Sequence, residues 1–146
     1  MAHKRGSVLE AWLAGSLPPG LPSEDADRFH NPIGHALRTA FPVLVDAVME
    51  GAGLDRANCC LESLVRIGAV QDGTPAQSLA FLFRLKPILR EQLDGEASRA
   101  MEDRIDSLAL LAFDLFTRAR EEARRLQADE VRRQSYVQRR AGGQEA

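Results

Sequence analysis

The sequence has few of the residues that build metal sites and disulfide frameworks. It contains two cysteines and three histidines in 146 residues. Cys59 and Cys60 are adjacent, and neighbouring helical side chains diverge by about 100°, so the two make a poor structural disulfide. Neither cysteines nor histidines follow the spacing of zinc ligands. We therefore expect no metal and no other cofactor.

Long hydrophobic runs are also missing. No stretch approaches the roughly 20 apolar residues that a membrane span requires. Glu10 interrupts the short apolar stretch near the start, which is untypical of a signal peptide. These absences predict a cytoplasmic protein without membrane insertion.

Lysine is scarce, and positive charge is unevenly distributed. Only Lys4 and Lys86 are lysines among the 19 basic residues, and the others are arginines. Residues 118–146 hold 8 basic and 5 acidic side chains, whereas residues 1–117 hold 11 and 16. Acidic residues are interspersed with these arginines and Tyr136 is the only aromatic nearby, so the basic segment offers little for base stacking. We predict a solvated helical face and no nucleic-acid binding.

The composition is that of a globular helical domain. Hydrophobic residues make up 45% and charged residues 27% of a chain long enough to bury roughly 70% of its unfolded surface. Apolar residues recur every three or four positions, and no alternating strand pattern occurs. The spacing predicts an all-α bundle of about five helices. A proline-rich loop follows a short helix at residues 7–13, Asn31 caps the next helix, and Asp55 is a candidate cap for the third.

Residues 74–93 carry the clearest helix signal. Thr74 and Gln77 form a capping box, with Pro75 at the first helical position. The segment is apolar nearly all round before Lys86, which predicts a central helix surrounded by others. Pro87 removes a hydrogen bond within it, and we interpret this residue as a candidate hinge.

A long final helix is predicted from residue 96 onward. Its apolar seam consists of Met101, Ile105, Leu108, Ala112, Leu115 and Ala119. We expect one domain over residues 1–126, followed by a charged helical extension and a frayed end over residues 127–146. This helix is a candidate surface for a homodimer or for another protein.

Charged and polar residues near the central helix form the candidate binding site. Arg66, Gln71 and Asp72 flank the turn before it, and Lys86 and Arg90 share one of its sides. An anion or partner site is one interpretation; solvated basic side chains and a carboxylate at a helix N-terminus are the other. Asp72 is the first candidate partner for the basic groups. No nucleophile elbow or phosphate-binding glycine loop is present, so we expect no catalytic residues and no enzyme.

Four motifs in order resemble the RsbRD N-terminal domain family: "NPIGHALR", "LVRIGAVQDGTPAQSLAFLFRLKPILRE", "RIDSLALLAFDLFTRAR" and "ADEVRR". They cover residues 29–133. The matching positions are Asn31, Pro32, Arg66, Ala69, Val70, Gln71, Asp72, Lys86, Arg90, Asp106, Asp114 and Arg120. The chain departs from the pattern at Gly68, where the family tends to have arginine, and at Gly73, where an aromatic residue is common.

The resemblance implies a sensory or protein-interaction module of the kind found in bacterial stress-signalling assemblies, here as a stand-alone member. It also implies an accessory role in dissimilatory sulfur metabolism, in electron transfer toward sulfite reduction. A haemless globin-like bundle is the fold expected of such relatives. The alternative function is a haem-binding or small-ligand-binding protein of globin type, in which His35 is the candidate haem ligand.

Overall fold

The computed structural model describes residues 2–16 and 32–144, and these form helices and turns without a strand. The all-α prediction is therefore confirmed. The helices are α1 (Ala2–Ser16), α2 (Pro32–Glu50), α3 (Leu54–Ala69), α4 (Pro75–Phe83), α5 (Leu85–Gln92) and α6 (Gly95–Gln144). The predicted Asn31 cap and most of the proline-rich segment lie outside the described residues.

The connection between α2 and α3 depends on two glycines. Gly51 and Gly53 both have a φ of 68°, a left-handed conformation that costs glycine little because it has no Cβ. Gly53 is the N-cap of α3. The predicted cap at Asp55 is thus wrong by two residues. The carboxylate of Asp55 instead lies in the first turn, where its negative charge interacts favourably with the helix dipole.

An aromatic cluster joins α1, α2 and α4. The rings of Trp12 and Phe41 stack with their centroids 3.7 Å apart, and Phe81 lies 5.9 Å from Phe41. The indole N–H of Trp12 donates a 2.7 Å hydrogen bond to the carbonyl of Phe81. Arg5 forms an ion pair with Asp46 and so joins the first two of these helices, α1 and α2.

The segment at residues 74–93 is central, as predicted, but it is not one helix. Leu82, Leu85 and Leu89 are buried to 1% exposure or less. The capping box at Thr74 is present, with both of its hydrogen bonds. The helix is interrupted at Arg84, three residues before Pro87, because proline lacks the N–H that would bond the carbonyl of Phe83.

Helix α6 covers the other helices along its first half and then leaves them. Met101, Ile105, Leu108 and Ala112 of the predicted seam are buried, and so is Phe116, which the seam did not include. Every residue from 124 to 134 is exposed. At 1.5 Å per residue, the segment at residues 127–144 extends by roughly 27 Å. The domain boundary at residue 126 remains a prediction, which this exposure supports.

Candidate functional site

The turn between α3 and α4 brings together part of the predicted site. The N–H of Gln71 donates to the carbonyl of Gly68 at 3.2 Å, and the N–H of Gly73 donates to the carbonyl of Gln71 at 3.0 Å. The capping box then begins α4 at once. Gln71 and Asp72 are exposed on this turn. The backbone of the turn is therefore held from both sides, while its polar side chains remain accessible.

Arg120 of α6 binds this turn. Its guanidinium donates to the carbonyl of Gln71 at 2.9 Å and to that of Ala69 at 3.3 Å. It also lies over the ring of Phe116, 4.5 Å from the ring centroid. The last carbonyls of a helix have no partner within it, so Arg120 supplies the donors that the end of α3 lacks.

A second arginine of α6 does the same for α2. Arg104 donates to the carbonyls of Val48 and Met49 at 2.8 and 3.2 Å. Two successive helix ends are thus hydrogen-bonded by side chains 16 positions apart on α6. The sequence does not predict the contact of either arginine. Arg120 stands out in it only as a position that matches the family pattern.

A groove of about 410 Å³ lies beside the turn. Gln71, Asp72 and Arg84 line it, together with apolar residues such as Leu37 and Phe81. Arg84 donates a 3.2 Å hydrogen bond to the carbonyl of Gly15. The groove therefore combines apolar side chains with polar and charged groups, a composition suited to a small ligand or a peptide.

The basic candidates find partners elsewhere. Arg66 pairs with Glu62 within α3 at 2.9 Å. Lys86 pairs with Asp106 of α6 at 2.5 Å, and Arg90 pairs with Glu102 at 2.7 Å. Asp72 forms none of the ion pairs found among the described residues. The expectation that Asp72 would neutralise these cations is therefore wrong, because Glu62 of α3 pairs with Arg66 and two carboxylates of α6 pair with Lys86 and Arg90.

The five candidate residues consequently do not form one cluster. Gln71 and Asp72 belong to the turn before α4, whereas Lys86 and Arg90 lie on α5 and pair with α6. Fourteen positions separate Asp72 from Lys86 along the chain, and the whole of α4 lies between them. Spacing along a sequence could not indicate this, since the break at Arg84 and the position of α6 determine which groups meet. Their role in binding remains a prediction.

The ion pairs predict a pH dependence of stability. The hydrogen bond from Arg90 lowers the pKa of Glu102, and that from Arg5 lowers the pKa of Asp46. A carboxyl with a lowered pKa in the folded state stabilises the protein above its unfolded pKa and loses this contribution as the pH falls. We expect the free energy of unfolding to decrease below about pH 4.

Urea denaturation between pH 6 and pH 3 measures this effect. The variant Glu102→Gln cannot titrate at this position, so its free energy of unfolding should fall less steeply as the pH is lowered. Glu91→Gln, at an exposed position on α5, should keep the wild-type slope. Equal slopes for all three proteins would contradict the role of the Arg90 pair.

Metal and haem chemistry find no support among the described residues. No three histidine, cysteine, aspartate or glutamate side chains in them are grouped as a metal site requires. His35 lies on α2, and no histidine of residues 2–16 or 32–144 lines the groove beside the turn. Across the same residues, no helix is long and apolar enough to cross a membrane.

Comparison with known families decides the relationship of this chain. Residues 7–131 match the profile described as the RsbT co-antagonist protein rsbRD N-terminal domain. The match covers most of the chain. The chain belongs to the RsbRD N-terminal domain family. This confirms the resemblance drawn from the four motifs, and the RsbRD N-terminal domains are a family of sensory and regulatory domains.

No curated protein and no solved structure matches the chain. The globin-like fold expected from relatives therefore gains no support, and the haem-binding alternative that depends on it gains none either. The RsbRD N-terminal family remains the relationship on which a function can be argued.

Proposed function

We propose that this protein is a non-enzymatic sensory or regulatory module that acts by binding another protein through the C-terminal segment of α6. Membership of the RsbRD N-terminal family supports a regulatory role. A homodimer through α6 is part of the same proposal. The cytoplasmic location stays a prediction, and neither fold nor family match adds support to an accessory role in sulfur metabolism.

The observation that carries this proposal is the exposure of residues 127–134 and 136–143. Val131, Tyr136 and Val137 are 64, 61 and 59% exposed on this segment. Isolated helices of this length are marginal in water, since most helical stability in proteins comes from packing. A partner that covers this segment would supply that packing.

The route from the body to this segment passes through the break at Arg84. Lys86 and Arg90 tie α5 to the first half of α6, at Asp106 and Glu102. The turn that starts α4 is tied to α6 by Arg120, further along. A change in the angle between α4 and α5 would therefore move Glu102 and Asp106 of α6 relative to Arg120. Coupling of this kind requires an element with two arrangements, and Pro87 provides the weakness.

Pro87→Ala tests this hinge. Alanine restores the N–H that can bond the carbonyl of Phe83, so we expect α4 and α5 to merge and hydrogen exchange around Arg84 to slow. Partner affinity should change by at least about fivefold, the lower range for allosteric coupling. Pro75→Ala is the control, because proline at the first helical position removes no hydrogen bond. Unchanged exchange and unchanged affinity in Pro87→Ala would remove the basis of the hinge.

Capture from native cells followed by quantitative mass spectrometry tests the partner. Val137→Glu places a charge on an exposed apolar position, whereas Gln138→Glu adds the same charge at the next residue, about 100° around the helix. We expect a protein that is enriched by the wild type and by Gln138→Glu and reduced at least about tenfold by Val137→Glu. Identical capture by all three proteins would show that the segment is not the contact surface.

A further inference from the structure

A second apolar surface, distinct from the C-terminal segment, lies between α4 and α6. It is a groove of about 830 Å³ whose walls include Phe83, Leu110 and Phe113. These three side chains are 48, 72 and 53% exposed. The prediction that other helices surround the central segment therefore fails on this side. Contiguous exposed apolar side chains of this size mark interaction surfaces in soluble proteins.

The groove continues along α6 toward its C-terminal half. A second groove of about 530 Å³ shares Pro75 and Phe113 with the first and extends to Glu121 and Arg124. The two form one concave strip, which we call the α4–α6 strip. Its apolar part includes Phe83, Leu110 and Phe113, with Asp106 at one end of the strip and Glu121 and Arg124 at the other. The shape and length suit an extended helix more than a compact small molecule.

The charges on this side of α6 are arranged around Leu110 in a particular order. Glu96 and Arg124 lie fourteen residues before and after Leu110, and Arg99 and Glu121 lie eleven residues before and after it. Steps of three and four residues connect these positions, so they share one side of the helix. All four charged residues are exposed, and none forms an ion pair within the described part of the chain.

We propose that the α4–α6 strip binds a second copy of this chain, with the two α6 helices antiparallel and the two Leu110 side chains meeting at the twofold axis. In that arrangement Glu96 faces Arg124 of the other copy, and Arg99 faces Glu121. Leu110 and Phe113 of each copy fill the groove beside Phe83 of the other. An isologous contact of this kind closes on itself and forms a dimer.

Charge complementarity selects this occupant and this direction. A parallel pair about the same side would place Arg99 beside Arg99 and Glu121 beside Glu121, and like charges at facing positions are unfavourable. The antiparallel pair replaces each of these repulsions with an opposite-charge contact. Asp106 then faces Asp114 of the other copy, and the ion pair between Asp106 and Lys86 offsets this like-charge contact. The proposal gives the homodimer expected from the long helix a geometry, and it does not depend on the partner of residues 127–144.

Sedimentation equilibrium of the full chain tests the surface. We expect the wild type to be a dimer at micromolar concentration and Leu110→Glu to dissociate at least about a hundredfold more readily, because a buried central contact is lost and a charge is placed there. Leu126→Glu is the matched control: Leu126 is 64% exposed on the same helix but does not line the strip. It should remain dimeric, and circular dichroism should show both variants fully helical.

A charge exchange tests the pairing itself. Arg99→Glu and Glu121→Arg each place like charges opposite each other and should weaken the dimer about tenfold, whereas the double variant should restore it to within about threefold. Failure of the double variant to recover would overturn the proposed register.

Cysteine cross-linking tests the direction. In a Cys59→Ser/Cys60→Ser background, Thr117→Cys puts the two introduced thiols about 21 Å apart in the antiparallel dimer, too far for a disulfide. Adding Asp103→Cys places a thiol opposite the one introduced at position 117 of the other copy, and this double variant should cross-link. Cross-linking of Thr117→Cys alone would show a parallel dimer, and a monomeric wild type, including one that binds a different protein's helix in the strip, would overturn the proposal.

Discussion

Replacing Trp12 with alanine is expected to lower the free energy of unfolding by about 3–5 kcal/mol. Trp12 is fully buried, stacks on Phe41 at 3.7 Å and donates to the carbonyl of Phe81 at 2.7 Å. Its removal leaves a large cavity and a carbonyl without its donor, and it removes the contacts of α1 with Phe41 of α2 and Phe81 of α4. For a domain of this size such a loss corresponds to a decrease in melting temperature of roughly 10 °C or more.

Urea denaturation followed by far-ultraviolet circular dichroism measures this loss, since the variant has no tryptophan left for fluorescence. Trp12→Phe keeps a stacking ring but not the indole donor, and we expect it to lose about 1–2 kcal/mol. Tyr136→Ala, at an aromatic position 61% exposed, is the control and should change stability by less than about 0.5 kcal/mol. A free energy of unfolding for Trp12→Ala within about 1 kcal/mol of the wild-type value would contradict the packing of α1 against the core.

The second large effect is expected at Arg120. Arg120→Ala removes two charge-assisted hydrogen bonds and the contact with Phe116, and should cost about 1–2 kcal/mol, reduced from the buried case because the residue is partly exposed. Both the global free energy of unfolding and the local stability of the turn should decrease. Without these donors, the end of α3 and the turn at Gln71 should open more often, and hydrogen exchange there should accelerate.

Two variants separate the geometry of Arg120 from its charge. Arg120→Lys keeps the charge but cannot reach both carbonyls with a planar fork, so most of the loss should persist. Arg125→Ala removes an exposed arginine five positions later on α6, which donates to no carbonyl among the described residues, and should leave exchange at the turn unchanged. Equal exchange in Arg120→Ala and Arg125→Ala would show that the turn does not depend on Arg120.

The strongest sequence predictions concern elements that local chemistry determines. The capping box at Thr74 requires only residues three positions apart, so α4 begins where the sequence indicates. The seam of α6 follows from apolar spacing alone, and Ile105 and Ala112 are fully buried. The missing N–H of Pro87 predicts a weakness in the central segment. The observed break is at Arg84, directly after Phe83, whose carbonyl the proline cannot bond.

Predictions that required knowledge of neighbouring helices were less successful. The five candidate site residues looked like one group because they are close in sequence, yet α6 supplies Asp106 and Glu102 to Lys86 and Arg90 and leaves Asp72 apart. Phe83 lies in the segment that the sequence predicts to be surrounded by other helices, yet it is exposed on the α4–α6 strip. An apolar pattern predicts that a surface is covered, but it does not indicate whether the same chain or another chain covers it.

The order of residues by itself determined the helical class, the start of α4, the apolar side of α6 and the family to which the chain belongs, because each depends on contacts within one or two helical turns or on motifs in sequence. Tertiary structure decided which helix ends Arg104 and Arg120 bind, which cations are paired and which apolar side chains stay uncovered. These depend on contacts between residues up to 69 positions apart, such as Trp12 and Phe81, and no local pattern encodes the relative positions of such helices.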